Sequence, residues 1–313
     1  MPCQPQRRWG TVPNDVDQLT FDSMRVGDRL KSIQYQIDES VHNSFIHSAL
    51  VPQSVRSILD AEDPFAVAHP MQTLTDYLAL IEETYAPMGT GLHTRHESTL
   101  FRPIPLRQTL TATGTIVDTY VKRNRDYWTA DYEVQDDNGV LVRHRMTATV
   151  DRPKTPEEAN VTRAPTPNRA EKRQNTDWSD ANTWTTHAEH TIDMSMIVEY
   201  DRQYWLRLGH AHQNPPNAHT SREIARLAGL PDAVMHSSHY YTWLSNIALE
   251  VFGARWLSSG KIEARFVAPA FPGDTLRLQS NRDEQHSLKL RVVGPNDAVV
   301  AVGSCRLHET DSL

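Results

Sequence analysis

Cysteine is almost missing from this chain: Cys3 and Cys305 are the only two in 313 residues, and no C-x-x-C spacing occurs. That excludes a disulfide framework or a zinc ribbon and suits a reducing compartment. No block of Lys and Arg stands out against a formal charge of −7. Nucleic acids and anionic membrane surfaces call for a basic face, so neither is an expected partner. Nowhere do about 18 apolar residues run together, so no membrane-crossing helix is expected. The opening MPCQPQRRWGTVPND has two arginines but no apolar stretch of signal-peptide type. A cytoplasmic protein is expected, and the lack of acidic residues before Asp15 leaves a mitochondrial one open. No Gly-x-Ser-x-Gly elbow is present to mark a nucleophilic serine.

What the sequence does have is 38% apolar and 23% charged residues, enough for a packed core. The stretch from Asp151 to Asp180 is rich in Pro, Asn, Thr and charge and carries almost no apolar periodicity, as a linker does. It divides the chain into an N-terminal extension (1–20), a first half (21–151), the linker (152–180) and a second half (181–313). The two halves share a weak repeat. FRPIPLRQTL from Phe101 resembles VAPAFPGDTL from Val267, with Pro103 and Pro269 in the same place. Strand-like runs follow each: 111–120, 127–135 and 140–150 in the first half, with the hairpin turn Asp137-Asn138-Gly139. In the second they are 275–280, 288–293 and 298–307, turning at 294–297.

An apolar helix precedes each strand set. Tyr240, Trp243, Leu244, Ile247, Ala248 and Val251 fall at helical spacing, predicting a helix over 237–252 with Ser237 and Ser238 as N-caps. Leu74, Tyr77, Leu78 and Ile81 predict another over 70–85, with Pro70 in its first turn. The fold class is therefore α+β, an antiparallel sheet wrapped around a long central helix in each half, the hotdog layout taken twice with pseudo-two-fold symmetry. Two unrelated α+β domains are the alternative.

The segment RLGHAHQNPPNAHTSREIARLAGLPDAVMHSSHYY, from Arg207, resembles the MaoC-like hydratases. It is closest to their double hotdog branch of mitochondrial-type hydroxyacyl-thioester dehydratases and mesaconyl-C4-CoA hydratases. Arg207, Gly209, Asn214, His219, Ala225, Gly229, Pro231 and His236 fall into register with that branch without a gap. Phe101–Val150 is similar to its first half. Two positions depart from the pattern: the family's Asp two residues after the histidine is Ser221 here, and the Gly after His236 is Ser237. The resemblance implies a hydro-lyase acting on a 3-hydroxyacyl or enoyl thioester of CoA or acyl carrier protein. It implies no cofactor and no metal; a homodimer is compatible with it.

Such chemistry needs a base near neutrality and positive polarity for the enolate-like oxygen. His219 is the expected base, and Asn214, an amide that cannot titrate, would orient the water or hydroxyl. The first backbone N–H groups of the helix at Ser237 and Ser238 would meet the oxygen. His236 and Arg207 are the remaining candidate binding residues, with a structural role for His236 the simpler reading. His210, His212 and His219 fit no common zinc spacing. The first half shows no matching Asn/His pair and is expected to wall the acyl tunnel. Two other readings stay open: a non-catalytic acyl-binding hotdog protein, and a hotdog thioesterase using Asp232 or Glu223.

Overall fold

A computed structural model describes residues 21–60, 67–85, 91–123, 125–150, 184–207, 216–227, 229–284 and 287–308. The expected extension (1–20), the linker (152–180) and Asn214 lie outside them. The first half runs β1 (Arg29–Gln36), α1 (Glu39–Ser48), α2 (Gln53–Asp60), β2 (Val67–Ala68), α3 (Asp76–Thr84), β3 (His93–Leu100), β4 (Ile104–Pro105), β5 (Thr109–Lys122), β6 (Arg125–Asp136) and β7 (Gly139–Val150). The second runs β8 (Thr185–Thr191), α4 (Met194–Arg207), α5 (Arg222–Leu227), α6 (Ser237–Phe252), α7 (Trp256–Ser259), β9 (Gly260–Phe266), β10 (Thr275–Glu284), β11 (Ser287–Val293) and β12 (Val299–Leu307).

The strands form the double hotdog arrangement as one antiparallel sheet, in the order β1-β5-β6-β7-β3-β9-β12-β11-β10-β8. Five strands come from each half, and the two sets join edge to edge where β3 pairs with β9. Glu97 faces Glu263 across that seam. Like charges directly opposite would repel. Arg95 bridges them, its Nη2 lying 2.9 Å from Glu97 Oε1 and 2.8 Å from Glu263 Oε2.

α6 runs over the residues expected from the apolar spacing, and every side chain from Ser238 to Leu249 is buried. On a helix buried all round an unpartnered polar group is costly, and α6 pairs most but not all of its own: both ring nitrogens of His239 lack a partner. Trp243 Nε1 donates to the Ala49 carbonyl (2.9 Å), Ser245 Oγ accepts from Trp256 Nε1 (3.1 Å), and Thr242 donates to the Ser238 carbonyl (2.9 Å).

The first-half helix departs from the expected continuous element over 70–85. Pro70–Thr73 is a 3-10 turn, and α3 begins only at Asp76. The Tyr132 hydroxyl donates to the Leu74 carbonyl at 2.6 Å, and the Leu78 N–H bonds Thr75 O instead. A side chain taking a carbonyl out of the i→i−4 ladder breaks a helix at that point. His69 caps the 3-10 turn: Met71 N–H donates to its Nδ1, so its Nε2–H donates to Asn246 Oδ1 at 2.9 Å. His69 has φ −58° and ψ 132°, and His236 before α6 has φ −63° and ψ 132°. The repeat read from the prolines thus extends to the histidine before each helix.

Candidate functional site

The loop that carries His219 is held by an Asx turn. Asn217 Oδ1 accepts from the backbone N–H of His219 (2.8 Å) and Thr220 (3.2 Å), while Thr220 Oγ1 accepts from Asn217 N–H (3.0 Å). The Val234 N–H closes onto the Ala218 carbonyl at 3.1 Å, pinning the loop to the segment before α6. His219 Nδ1 lies 2.7 Å from the Val234 carbonyl. A carbonyl only accepts, so Nδ1 carries the proton and Nε2 keeps a lone pair. Burial pushes the His219 pKa down to about 3, and the neighbouring His236 pushes the same way; the Val234 carbonyl and Asp201 work against them. The ring is therefore neutral at neutral pH.

His236 is the second member of the centre. It stacks on His219 with ring centroids 3.5 Å apart, and its Nε2 lies 2.8 Å from Asp201 Oδ1. Asp201, on α4, is 6% exposed. Burial alone would raise its pKa; the hydrogen bond and charge of His236, then His219 and the Asn217 amide, outweigh that and hold it below the usual carboxylate value. Asn217 Nδ2 reaches both Asp201 oxygens at 3.2 and 3.3 Å. One carboxylate thus ties α4, the His219 loop and the start of α6 together.

The helix start is not capped as expected. His236, not a serine, is the N-cap residue of α6, and it makes no side-chain capping bond. Ser237 is the first helical residue, and its hydroxyl is taken by a group from the other half: Oγ lies 3.0 Å from His93 Nδ1. Ser238 is buried at 3% exposure, so what it can offer a ligand is its backbone N–H. Ser221, which stands where the family pattern has Asp, accepts the Ile224 N–H at 3.3 Å and caps α5. Asp232 is paired with Arg222 at 3.2 Å, and Glu223 is exposed. Asn214 and the side chain of Arg207 lie outside the described residues.

Behind Ser237 runs a line of three histidines, His93 half-buried and the other two buried, that links the halves. His93 Nε2 lies 3.0 Å from His96 Nδ1, and His96 Nε2 lies 3.2 Å from His144 Nδ1. His144 Nε2 ends the line 3.0 Å from Thr73 Oγ1. His96 and His144 are 0% and 1% exposed. The expectation that the first half only walls a tunnel is therefore incomplete, since β3 delivers His93 to the start of α6.

The structure brings His219, His236 and Ser237, which the sequence pattern singles out, together with Asp201, Asn217 and His93, which it does not. Asp201 left a trace: it falls with Ile197 and Tyr200 on the buried face of α4, where a carboxylate is out of place unless partnered. His93 left none, because only the β3–β9 pairing brings it to Ser237.

No protein-family model matches the chain, and no curated protein matches it. Solved structures do. A MaoC-like dehydratase from Phytophthora capsici superposes with a TM-score of 0.71 at 14% identity, covering 94% of this chain and 99% of that one. A Mycobacterium tuberculosis protein with a double hotdog fold gives 0.60 at 13% identity, covering 93% and 98%. The peroxisomal multifunctional enzyme type 2 of Drosophila melanogaster gives 0.65 at 18% identity over 90% of this chain, which spans 48% of that enzyme. At these identities the likeness concerns the fold.

Proposed function

We propose that this double hotdog chain is a hydro-lyase of the MaoC-like kind, adding water to an enoyl thioester or removing it from a 3-hydroxyacyl thioester. The carrier would be CoA or an acyl carrier protein. The observation that carries the reading is the tautomer of His219: Val234 takes the Nδ1 proton, and a neutral imidazole is left with a lone pair on Nε2. Support from the fold is that MaoC-like dehydratases share it.

In the hydration direction, His219 Nε2 takes a proton from water as the oxygen bonds the β-carbon. The π electrons move to the thioester oxygen, and the imidazolium returns its proton to the α-carbon. Charge developing on the oxygen is met by the Ser237 and Ser238 N–H groups at the start of α6. Asp201 and Asn217 hold the base in place, and Asn214 would orient the water. The sequence resemblance favours the hydroxyacyl-thioester dehydratase and mesaconyl-C4-CoA hydratase branch.

The test is hydration of a panel of enoyl-CoA thioesters of graded length, followed by loss of the conjugated double bond. Wild-type turnover that disappears in His219→Ala supports the assignment. Turnover that His219→Ala leaves intact removes His219 as the base, and no turnover across the panel removes the hydro-lyase reading.

A further inference from the structure

One set of hydrogen-bond directions along the histidine line follows from the Tyr132 hydroxyl. Tyr132 has one hydroxyl proton, and it goes to the Leu74 carbonyl at 2.6 Å. Its oxygen can then only accept from His96 Nε2, 3.4 Å away, so His96 carries its proton on Nε2. At the far end Thr73 Oγ1 lies 3.4 Å from the Pro70 carbonyl and 3.0 Å from His144 Nε2. His144 Nδ1 lies 2.9 Å from Ser98 Oγ and 3.2 Å from His96 Nε2. With its proton on Nε2, His96 offers a lone pair at Nδ1, which accepts from His93 Nε2–H at 3.0 Å. In this set His93 keeps a lone pair on Nδ1, 3.0 Å from the Ser237 hydroxyl, which donates to it.

This is the arrangement of an activated nucleophile: a hydroxyl donating to a histidine whose other ring N–H is oriented by a third group. Ser237 is partly exposed while His96 is fully buried. The serine opens a sixteen-residue helix, and the Ser238 N–H follows it directly.

We propose that Ser237, His93 and His96 form a second catalytic centre, a serine–histidine–histidine triad assembled from both halves that cleaves acyl thioesters through an acyl-serine. For the seat of the thioester, its carbonyl against the first turn of α6, the inference rests on the proposed function; the triad geometry does not. Ser237 Oγ attacks the carbonyl carbon, and its proton passes to His93 Nδ1. The C–S bond breaks, and the departing sulfur takes that proton to leave as a free thiol. Water then attacks the acyl-serine and gives a proton to His93. The carbon–Oγ bond breaks, Ser237 regains the proton, and a carboxylic acid is released. One thioester and one water become one acid and one thiol. His93 is the base and His96 the positioning residue. Burial, the largest influence, lowers the His93 pKa to about 3 against the pull of the Arg95 carbonyl, and the charge of His236 lowers it further. A base this weak makes acylation slow but keeps the lone pair available at neutral pH.

Butyryl-CoA and decanoyl-CoA test the proposal, because a saturated acyl group cannot be hydrated and so reports on Ser237 alone. Incubation with the full chain should release free thiol and add the mass of one acyl group to the peptide containing Ser237. Ser237→Ala should lose the adduct, and His93→Gln should slow its formation at least tenfold, with thermal midpoints measured to show that both variants fold. His96→Gln can still accept the His93 proton and should retain acylation that His96→Phe loses. The proposal is overturned if wild type gives neither thiol nor adduct, if the adduct maps elsewhere, or if His93→Gln acylates at the wild-type rate. Loss of an enoyl double bond reads the proposed function separately, so either idea can fail while the other stands.

Discussion

His219 and His236 lie ring on ring, 3.5 Å between centroids and 23° from parallel. Two imidazoles this close cannot both be charged without strong repulsion. Burial keeps His219 neutral, and His236 is hydrogen-bonded to Asp201. The pair thus separates its contacts, one ring on a carboxylate and the other, through Nδ1, on the Val234 carbonyl.

The first prediction concerns His219 directly. Removing a positioned general base costs about 10²- to 10⁴-fold in rate. His219→Ala should lower kcat for enoyl-thioester hydration within that range, with circular dichroism unchanged. A loss below about tenfold would move the base elsewhere.

The pH dependence has a definite sign. A base acts when deprotonated, and burial has taken His219 down to about 3. Hydration should therefore show no acid limb near 6.5, the ordinary histidine value, as long as the protein stays folded. An initial-rate profile with a break at 6.5 would contradict the buried, neutral assignment.

Folding itself should be acid-sensitive for the same reason. Burial lowers His69, His93 and His219 each to about 3, whereas in the unfolded chain they return to 6.5. The unfolded state therefore binds more protons between those values, and stability falls as pH drops below 6.5. At pH 5 each such histidine costs on the order of 2 kcal/mol. Asp201 adds its own loss only further down, since its pKa is held below the usual carboxylate value. Melting curves from pH 8 to pH 5 should show the midpoint dropping steeply below 6.5; a flat profile would count against these burials.

How much of this was legible in the residues varies by element. Local patterns sufficed for α6, whose apolar spacing gave its bounds, and for the β6–β7 hairpin, where Gly139 takes φ 113° in the turn after Asp137 and Asn138. They failed at α3, because the break depends on a hydroxyl from Tyr132, far away in sequence. The candidate site divides along the same line. His219 and His236 sit in one continuous segment and could be found there, whereas Asp201 and His93 reach it through helix docking and strand pairing. The expected serine cap failed because capping preference describes an isolated helix start. Here a histidine from the other half takes the Ser237 hydroxyl.

Asp201 provides a further test. Removing Asp201 leaves the His236 and Asn217 donors without their acceptor, and each buried group left so typically costs about 1–3 kcal/mol. Asp201→Ala should approach that loss in denaturant unfolding. Asp201→Asn, which keeps an acceptor for His236, should lose clearly less. Equal losses would mean that charge, and not the hydrogen bonds to His236 and Asn217, holds the three segments together.

Gly303 on β12 tests the packing beside the seam. A Cβ there would lie 2.3 Å from the Glu263 carbonyl oxygen and 3.2 Å from Ala264 Cα, both backbone atoms of β9. Neither can yield without disturbing the ladder, so Gly303→Ala should destabilise by roughly 1–3 kcal/mol. Gly273→Ala meets nothing within 4 Å, and its cost should come only from the strained φ of 96°. Chemical unfolding of the two variants compares collision with backbone strain.

The β3–β9 pairing has one more consequence. Each half uses the other to cover a sheet edge that would otherwise present a row of unpaired backbone groups. Separated, the halves would each carry a bare, adhesive strand. Each would be drawn to a second copy of itself or to an aggregate, so in this fold the seam acts as a guard against misassembly as well as a joint.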